Sequence, residues 1–301
     1  MTAVPRQATP QAAATAPPAQ SQSRRRAKRH RDWWVYGCYA VVVLFLIWVL
    51  VPILQVALNS FKTENDIFTS TPRVTFHPTL SNYHTVFGQL AFLHYLLNST
   101  IVAVGTTVMS LVVGVPGAYA LARLPLPGRE WWARGILFTR MAPAVALVVP
   151  IFVIFDRLQL LGTYWALILA DTTFNLPIVV WLMRSFFEDV PVELEEAAEV
   201  DGTSRFGAFT RVALPLVTPG LAASAVLCLL FSWNEFLFAL VLSNDQTQTV
   251  PIGVAGFVGT VSIDWGGSSA AAVIAMIPVF VLGLLAQRFL VRGLTLGAVK
   301  G

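Results

Sequence analysis

The chain has 301 residues, of which 56% are hydrophobic and 12% are charged, and its formal net charge is +4 at pH 7. A soluble domain carries about 25% charged residues, so this chain has too few charges to coat a water-exposed surface. The composition excludes an ordinary soluble protein and predicts that most of the chain faces lipid or other membrane helices.

The N-terminal residues differ in composition from the rest of the chain. Residues 2–23 are rich in Ala, Pro, Gln and Ser, so residues 1–31 are predicted to form a disordered basic tail. The basic run Arg24–Arg31 leads directly into an apolar segment that is longer than a signal-peptide core and has no small-residue cleavage site after it. This pattern predicts a retained first membrane helix with a basic cytoplasmic flank. Nucleic-acid binding by the basic run is the alternative.

Six segments are long enough to cross a membrane, since a helix needs about 20 apolar residues to span about 30 Å of hydrocarbon. They are Val35–Leu58, Leu97–Leu121, Gly135–Phe155, Tyr164–Phe186, Pro219–Leu242 and Ala270–Phe289. The predicted fold class is therefore all-α integral membrane with six transmembrane helices. Residues 32–292 are predicted to form the membrane domain, and residues 293–301 a C-terminal tail.

The basic residues lie predominantly on one side of these six spans. With the N-terminus inside, the inner segments hold Arg24–Arg31, Arg123, Arg129, Arg134, Arg184, Arg205, Arg211, Arg288, Arg292 and Lys300. The outer segments hold only Lys62, Arg73 and Arg157. The positive-inside rule therefore predicts that both termini and the loop at 188–215 are cytoplasmic. The long outer loops, about 59–94 and 243–269, are expected to serve contact or gating, with a passive connector as the alternative.

Loop 188–215 has the pattern of two short capped helices. Asp189 is predicted to cap the first helix, on which Leu194, Ala197 and Ala198 share one face while Glu195, Glu196 and Glu199 point elsewhere. Gly202 is the predicted stop of this helix.

The second helix is predicted to begin at Ser204 and to place Phe206, Phe209 and Val212 at helical spacing, with Pro215 at its end. A helix pair with small and aromatic side chains and charged flanks suits docking into a groove of another protein.

The segment from Glu196 to Pro215 resembles the EAA signature of the membrane subunits of binding-protein-dependent ABC importers. The matching positions are Glu196, Ala197, Ala198, Gly202, Val212, Leu214 and Pro215. Val212 departs mildly from the pattern, which usually has Ile there. The segments "LARLPLPGR", "SWNEFLFALVLS" and "GLTLGAVKG" also resemble the carbohydrate-uptake, MalG-like branch of this family, so the likeness extends over about residues 33–301.

The resemblance implies a MetI/MalG-like permease fold that pairs with a second, MalF-like permease subunit, two ATPase subunits and an extracytoplasmic sugar-binding protein. It implies no cofactor on this chain, since ATP and Mg²⁺ belong to the ATPase. The implied ATPase-coupling residues are Glu196, Ala197, Ala198, Asp201, Gly202, Phe206, Phe209, Leu214 and Pro215. The tail residues Thr295, Gly297 and Lys300 are implied to reach toward the ATPase.

Ionisable groups inside spans cost about 2.5–3.5 kcal/mol each and are therefore functional candidates. The candidates for the translocation path are Arg140, Asp171, Asn175, Trp233, Asn234 and Glu235. An aromatic ring beside amide and carboxylate groups suits a sugar. The alternative is a structural salt bridge of Arg140 with Asp171 or Glu235. In the maltose-type systems that the chain resembles, the partner permease makes the sugar contacts.

An enzyme is not predicted. The chain has no P-loop motif, no Ser/His/Asp cluster, and no metal-ligand spacing among its two cysteines and four histidines. The predicted function is the permease subunit of an ATP-driven sugar importer. The alternatives are a glycerol 3-phosphate or polyamine permease of the same family, an ion-coupled secondary carrier that uses Arg140, Asp171 and Glu235, and a membrane anchor.

Overall fold

The computed structural model describes residues 20–69, 75–89, 92–258 and 263–297. These residues are mostly helical, and none of them forms a strand beyond the isolated bridge between Val258 and Ile263. The chain divides into two units at Gln55 and Val56. The helices are α1 Gln20–Asn59, α2 Glu64–Ile67, α3 Ser81–Gln89, α4 Phe92–Arg123, α5 Arg129–Thr139, α6 Ala144–Arg157, α7 Tyr164–Glu188, α8 Glu193–Val200, α9 Arg205–Ala208, a π-helix Phe209–Ala213, α10 Leu214–Leu216, α11 Thr218–Trp233, α12 Leu237–Leu242, α13 Val250–Ala255 and α14 Trp265–Gly297.

The first unit consists of α1 as far as Gln55. The segment Trp33–Asn59 of α1 is apolar on all sides and long enough to span a membrane, as predicted. The helix begins at Gln20, so the prediction of disorder through residue 31 is wrong for residues 20–31. Arg, Lys, Ala and Gln are all good helix formers. Because the apolar segment after them already forms a helix, adding these residues to its start avoids the cost of nucleating a new one. Residues 1–19 lie outside the described residues.

The second unit is built around the long helices α4 and α7, which pack along each other and against α11, while α11 also packs on α14. Two glycines let the backbones of α4 and α7 approach closely. A Cβ atom at Gly105 would lie 2.6 Å from Ile168 Cδ1, and one at Gly114 would lie 2.8 Å from Val179 Cγ1. Small residues at such contacts are typical of helix packing in membranes.

Two of the six predicted spans are broken. The predicted third span is α5 followed by α6, which meet at 90°. Pro143 is the N-cap of α6, and a proline cannot continue the preceding helix because it lacks an N–H and clashes with the turn before it.

The predicted fifth span ends early, because α11 stops at Trp233 and α12 starts again at Leu237. Residues 205–216 and α11 form a second bent pair, at 76°. Four described helices are long and apolar enough to cross a membrane, and six spans result if each bent pair is counted as one.

Side-chain hydrogen bonds join the segment between α12 and α13 to the start of α4. The Asn98 side-chain amide donates to the carbonyl oxygens of Gln246 and Gln248 at 2.9 and 2.8 Å, and its oxygen accepts from the Tyr164 hydroxyl at 2.7 Å. The Val250 N–H donates to Ser99 Oγ at 2.8 Å. This part of the predicted loop 243–269 is therefore bound to α4 by side-chain hydrogen bonds.

Candidate coupling and translocation sites

Loop 188–215 forms the predicted pair of short helices. The first of these, α8, is followed by Gly202, whose φ of +89° lies in the left-handed region that favours glycine, so the predicted stop is confirmed. The prediction for Asp189 is wrong. Because α7 continues to Glu188, Asp189 is the C-cap of α7, and Val192 is the N-cap of α8.

The second helix begins as predicted but changes type after one turn. The N–H of Gly207 donates to Ser204 Oγ at 3.2 Å, which caps α9. A π-helix follows from Phe209, and its wider turn differs from the α-helical spacing that the prediction assumed. Phe206 is 74% exposed, whereas Phe209 is 8% exposed and packs on the Tyr119 ring at 4.6 Å between centroids. The prediction that Phe209 belongs to an exposed docking surface is therefore wrong.

The other predicted coupling residues lie at or near the surface of the loop. Glu196, Ala197, Asp201, Gly202 and Pro215 are exposed, and Ala198 and Leu214 are half-buried. Sequence reasoning missed Val200, which is 87% exposed and follows Ala197 by three residues, a helical spacing that could have revealed it. Leu194, Ala197, Val200 and Phe206 are here called the exposed apolar group.

Glu195 is the second residue whose role the sequence did not reveal. It was expected to point away with Glu196 and Glu199, yet it is 5% exposed while both of these are exposed. Its carboxylate accepts hydrogen bonds from the Tyr119 hydroxyl and from Arg123 Nε. The signal available in the sequence was the pair Tyr119 and Arg123, which are four residues apart and so share one face at the end of a span.

Asp171 and Glu235 line one small pocket, together with Ser232 and Thr249. The Ser232 hydroxyl donates to the Asp171 carboxylate. The Glu235 carboxylate accepts from the N–H groups of Phe238 and Ala239 at 2.8 and 3.0 Å, so it caps α12. The pocket has about 170 Å³ of empty space, less than the roughly 300–1,000 Å³ of ligand pockets. It is too small for a saccharide.

Arg140 has a different partner from either of those predicted. Its guanidinium donates to the carbonyl oxygen of Phe174 and lies 4.9 Å from the centre of the Phe231 ring. Among the described residues it forms no ion pair with Asp171 or Glu235, so the salt bridge that was the alternative to a place in the translocation path is not formed. The break between α5 and α6 places Arg140 beside a peptide carbonyl and an aromatic face, and both attract a cation.

The remaining candidates are divided between core and surface. Trp233 is buried, and its Nε1 donates to the Ala275 carbonyl at 3.2 Å, so its ring packs within this chain and presents no face to a sugar. Asn175 is also buried, with its amide nitrogen on the Asp171 carbonyl at 3.1 Å. Asn234 is exposed beside the gap between α11 and α12. Sequence alone could not separate the buried Trp233 from the exposed Asn234, because they are neighbours in the chain.

The predicted C-terminal contact residues lie partly within α14. This helix continues to Gly297, so Thr295 and Gly297 belong to its last turns. Lys300 lies outside the described residues. No group of three or more metal-ligating side chains lies together in the part of the chain that the structure describes.

These features define a class of protein. Several long apolar helices, breaks within two of the predicted spans, and a capped helix pair with an exposed apolar group are features of a multi-pass membrane protein. Residues 114–296 match the family model of the binding-protein-dependent transport system inner membrane component. The chain belongs to this family, and it is a multi-pass membrane permease subunit rather than an enzyme.

Proteins that are similar to almost the whole length of this chain are named as transport-system permeases. The chain is 37% identical over 281 residues to the probable ABC transporter permease protein y4oR of Sinorhizobium fredii, covering 93% of this chain and 99% of that protein. It is 37% identical over 263 residues to the trehalose/maltose transport system permease protein MalG of Thermococcus litoralis, covering 86% and 94%.

Solved structures show the same fold. The chain resembles a subunit of a bacterial ABC transporter involved in the import of the acidic polysaccharide alginate, with a TM-score of 0.73 and 24% identity. The match covers 86% of this chain and 97% of that one. The predicted all-α permease fold is thereby confirmed.

Proposed function

We propose that the chain is a permease subunit of an ATP-driven saccharide importer and forms half of the translocation path. The single observation that carries the coupling role is the exposed apolar group on a loop whose other exposed residues are mostly charged or polar. Four apolar side chains exposed to water are unfavourable unless a partner covers them, and helices in grooves are a common recognition mode. The partner that fits is the ATPase subunit, because this family depends on a separate motor.

The orientation and the assembly follow from the same proposal. Both termini and loop 188–215 are cytoplasmic, as supported by the one-sided distribution of Lys and Arg. A MalF-like second permease, two ATPase subunits and an extracytoplasmic binding protein complete the importer. This chain holds no cofactor, and ATP and Mg²⁺ bind to the ATPase subunits.

The saccharide substrate class is supported by the names of the relatives. Besides the trehalose/maltose permease, the chain is 36% identical to the diacetylchitobiose uptake system permease protein DasC of Streptomyces coelicolor, over 89% of the present chain.

In the proposed mechanism, the ATPase dimer closes when it binds ATP and pulls on the helix pair. This motion rocks the spans so that the cavity opens toward the binding protein.

Gly202→Pro and Ala198→Asp test the coupling role. Proline cannot adopt the positive φ of Gly202, and Ala198→Asp would place a carboxylate at a half-buried position next to Ala197 of the exposed apolar group. Both variants are expected to insert into the membrane but to lose ATP-dependent uptake of saccharide in proteoliposomes that contain the complete transporter.

The matched control is Gly202→Asn, because Asn tolerates the left-handed region and a Cβ atom at this position meets nothing within 4 Å. It is expected to transport normally. Normal uptake by Gly202→Pro and Ala198→Asp would contradict the coupling role. Uptake that survives ATP depletion but collapses with an uncoupler would instead support an ion-coupled carrier.

A further inference from the structure

The coupling helix α8 has one buried residue, and that residue is a glutamate. Glu195 is buried, while the other side chains of α8 are exposed or half-buried. Carboxylates are almost never fully buried unless they are paired. The attachment of α8 to the membrane bundle therefore depends on the pairing of Glu195 rather than on an apolar side chain.

The partners of Glu195 both come from the last turns of α4. The Tyr119 hydroxyl donates to Glu195 Oε2 at 2.6 Å, and Arg123 Nε donates to Oε1 at 2.7 Å. The Arg123 and Glu195 side chains are only 9% and 7% exposed. A second guanidinium nitrogen of Arg123 donates to the Val190 carbonyl at 2.6 Å. One guanidinium thus joins α4, the turn after α7, and α8.

Tyr119 also connects this network to the second helix of the pair. Its ring packs against Phe187 of α7 at 5.3 Å and against Phe209 of the π-helix at 4.6 Å between centroids. The Tyr119 side chain of α4 therefore contacts α7 and the π-helix through its ring and binds α8 through its hydroxyl. Hydrogen bonds to charged groups in such water-excluded surroundings are short, directional and stronger than neutral ones.

We propose that Tyr119, Arg123 and Glu195 form a rigid link that makes α8 move as one body with α4 and α7. Glu195 is a positioning residue in this proposal, and it acts through α4 rather than by contact with the ATPase. The proposal rests on the proposed function, in which the ATPase pulls on the helix pair. Without the link, the covalent connections at residues 189–192 and at Gly202 would let α8 follow the ATPase while α4 stays in place.

The first test measures the distance between α8 and α4 with spin labels. Cysteines replace the exposed residues Glu193 of α8 and Val112 of α4, and the native Cys38 and Cys228 are replaced by alanine in the complete transporter. With the link intact, the distance is expected to be the same in the nucleotide-free and ATP-bound states. In Glu195→Gln the distance is expected to change on ATP binding. A distance that changes in the wild type, or that stays constant in Glu195→Gln, would overturn the proposal.

The second test compares saccharide uptake with ATP hydrolysis in the same proteoliposomes. Glu195→Gln is expected to hydrolyse ATP but to import at least about fivefold less saccharide per ATP, which is the lower end of ordinary coupling factors. A purely structural role would lower both activities in proportion and leave this ratio unchanged, which would refute the link. Tyr119→Phe keeps the ring and removes one hydrogen bond, so it is expected to lower the ratio less. If the complex with Glu195→Gln does not assemble, the ratio of uptake to hydrolysis measured for Tyr119→Phe tests the link instead.

Glu130→Gln is the matched control. Glu130 pairs with Arg184 and joins α5 to α7, and none of its described ion pairs and hydrogen bonds is made with α8. Its ratio of uptake to hydrolysis and its label distances are expected to equal those of the wild type. If the wild-type complex binds its ATPase yet imports no saccharide, the proposed function fails, while the distance measurement still decides the link.

Discussion

The helix pair of loop 188–215 and the two breaks at residues 140–143 and 234–236 both combine polar and apolar side chains, but in opposite arrangements. In the loop, Glu196 and Asp201 are exposed next to the exposed apolar group. At the breaks, the Arg140 guanidinium is bound to a carbonyl of α7, and the Glu235 carboxylate to two N–H groups of α12.

The difference follows from what each backbone needs. A broken helix in apolar surroundings must have its free backbone groups satisfied by the protein itself, so the nearby polar side chains bond to the backbone and are not free for a substrate. In the loop, the backbone groups bond within the short helices and to the Ser204 cap, and the exposed side chains remain available to a partner. The buried Glu195 is the exception, because it serves the attachment of the loop.

The largest effect expected within this comparison separates two phenylalanines of the loop. Phe209→Ala removes a buried ring and is expected to lower the free energy of unfolding by about 3–5 kcal/mol. Phe206→Ala is expected to change it by no more than about 0.5 kcal/mol because its ring is exposed, but to reduce co-purification of the ATPase. Thermal unfolding of the purified protein and a pull-down of the ATPase measure the two effects. Equal destabilisation by both variants would remove the distinction between core and docking residue.

A smaller effect is expected for Asp171 in the bundle. Asp171→Ala leaves the buried Ser232 hydroxyl without an acceptor and is expected to lower the free energy of unfolding by about 1–3 kcal/mol. Asp171→Asn keeps an acceptor oxygen and serves as the control, with a smaller loss in the same thermal unfolding measurement. If saccharide affinity changes while stability does not, Asp171 belongs to the substrate path and not to the packing of α7 on α11.

The smallest effect is expected at the start of α12. Glu235→Ala removes the acceptor for two N–H groups and is expected to lower stability by about 0.5–2 kcal/mol, as for other helix caps. Hydrogen exchange of the Phe238 and Ala239 amides should become faster, whereas exchange in α8 should stay the same. Unchanged exchange at both amides would show that Glu235 does not serve as a cap.

The sequence predicted the features that depend on local chemistry. Gly202 and Ser204 carry their own signals, a left-handed turn and a helix cap, and both are confirmed. Pro143 signals a break, but the 90° angle between α5 and α6 depends on packing that no neighbouring residue encodes. The pair Tyr119 and Arg123 signals an acceptor near the end of α4, but no local pattern identifies Glu195 as that acceptor, because it is 72 residues away from Arg123 in sequence. For Arg140, two carboxylates were available as partners, and the structure uses a peptide carbonyl instead.

Because loop 188–215 contains the π-helix Phe209–Ala213, the number of residues in the loop sets the rotational position of its helices as well as their distance from α11. One residue of an α-helix corresponds to a rotation of about 100°. Removing a single residue within this wide turn would therefore rotate Phe206 and α8 around the axis of the segment 205–216 relative to Tyr119. An insertion or deletion there is expected to be more damaging than most substitutions on the exposed surface.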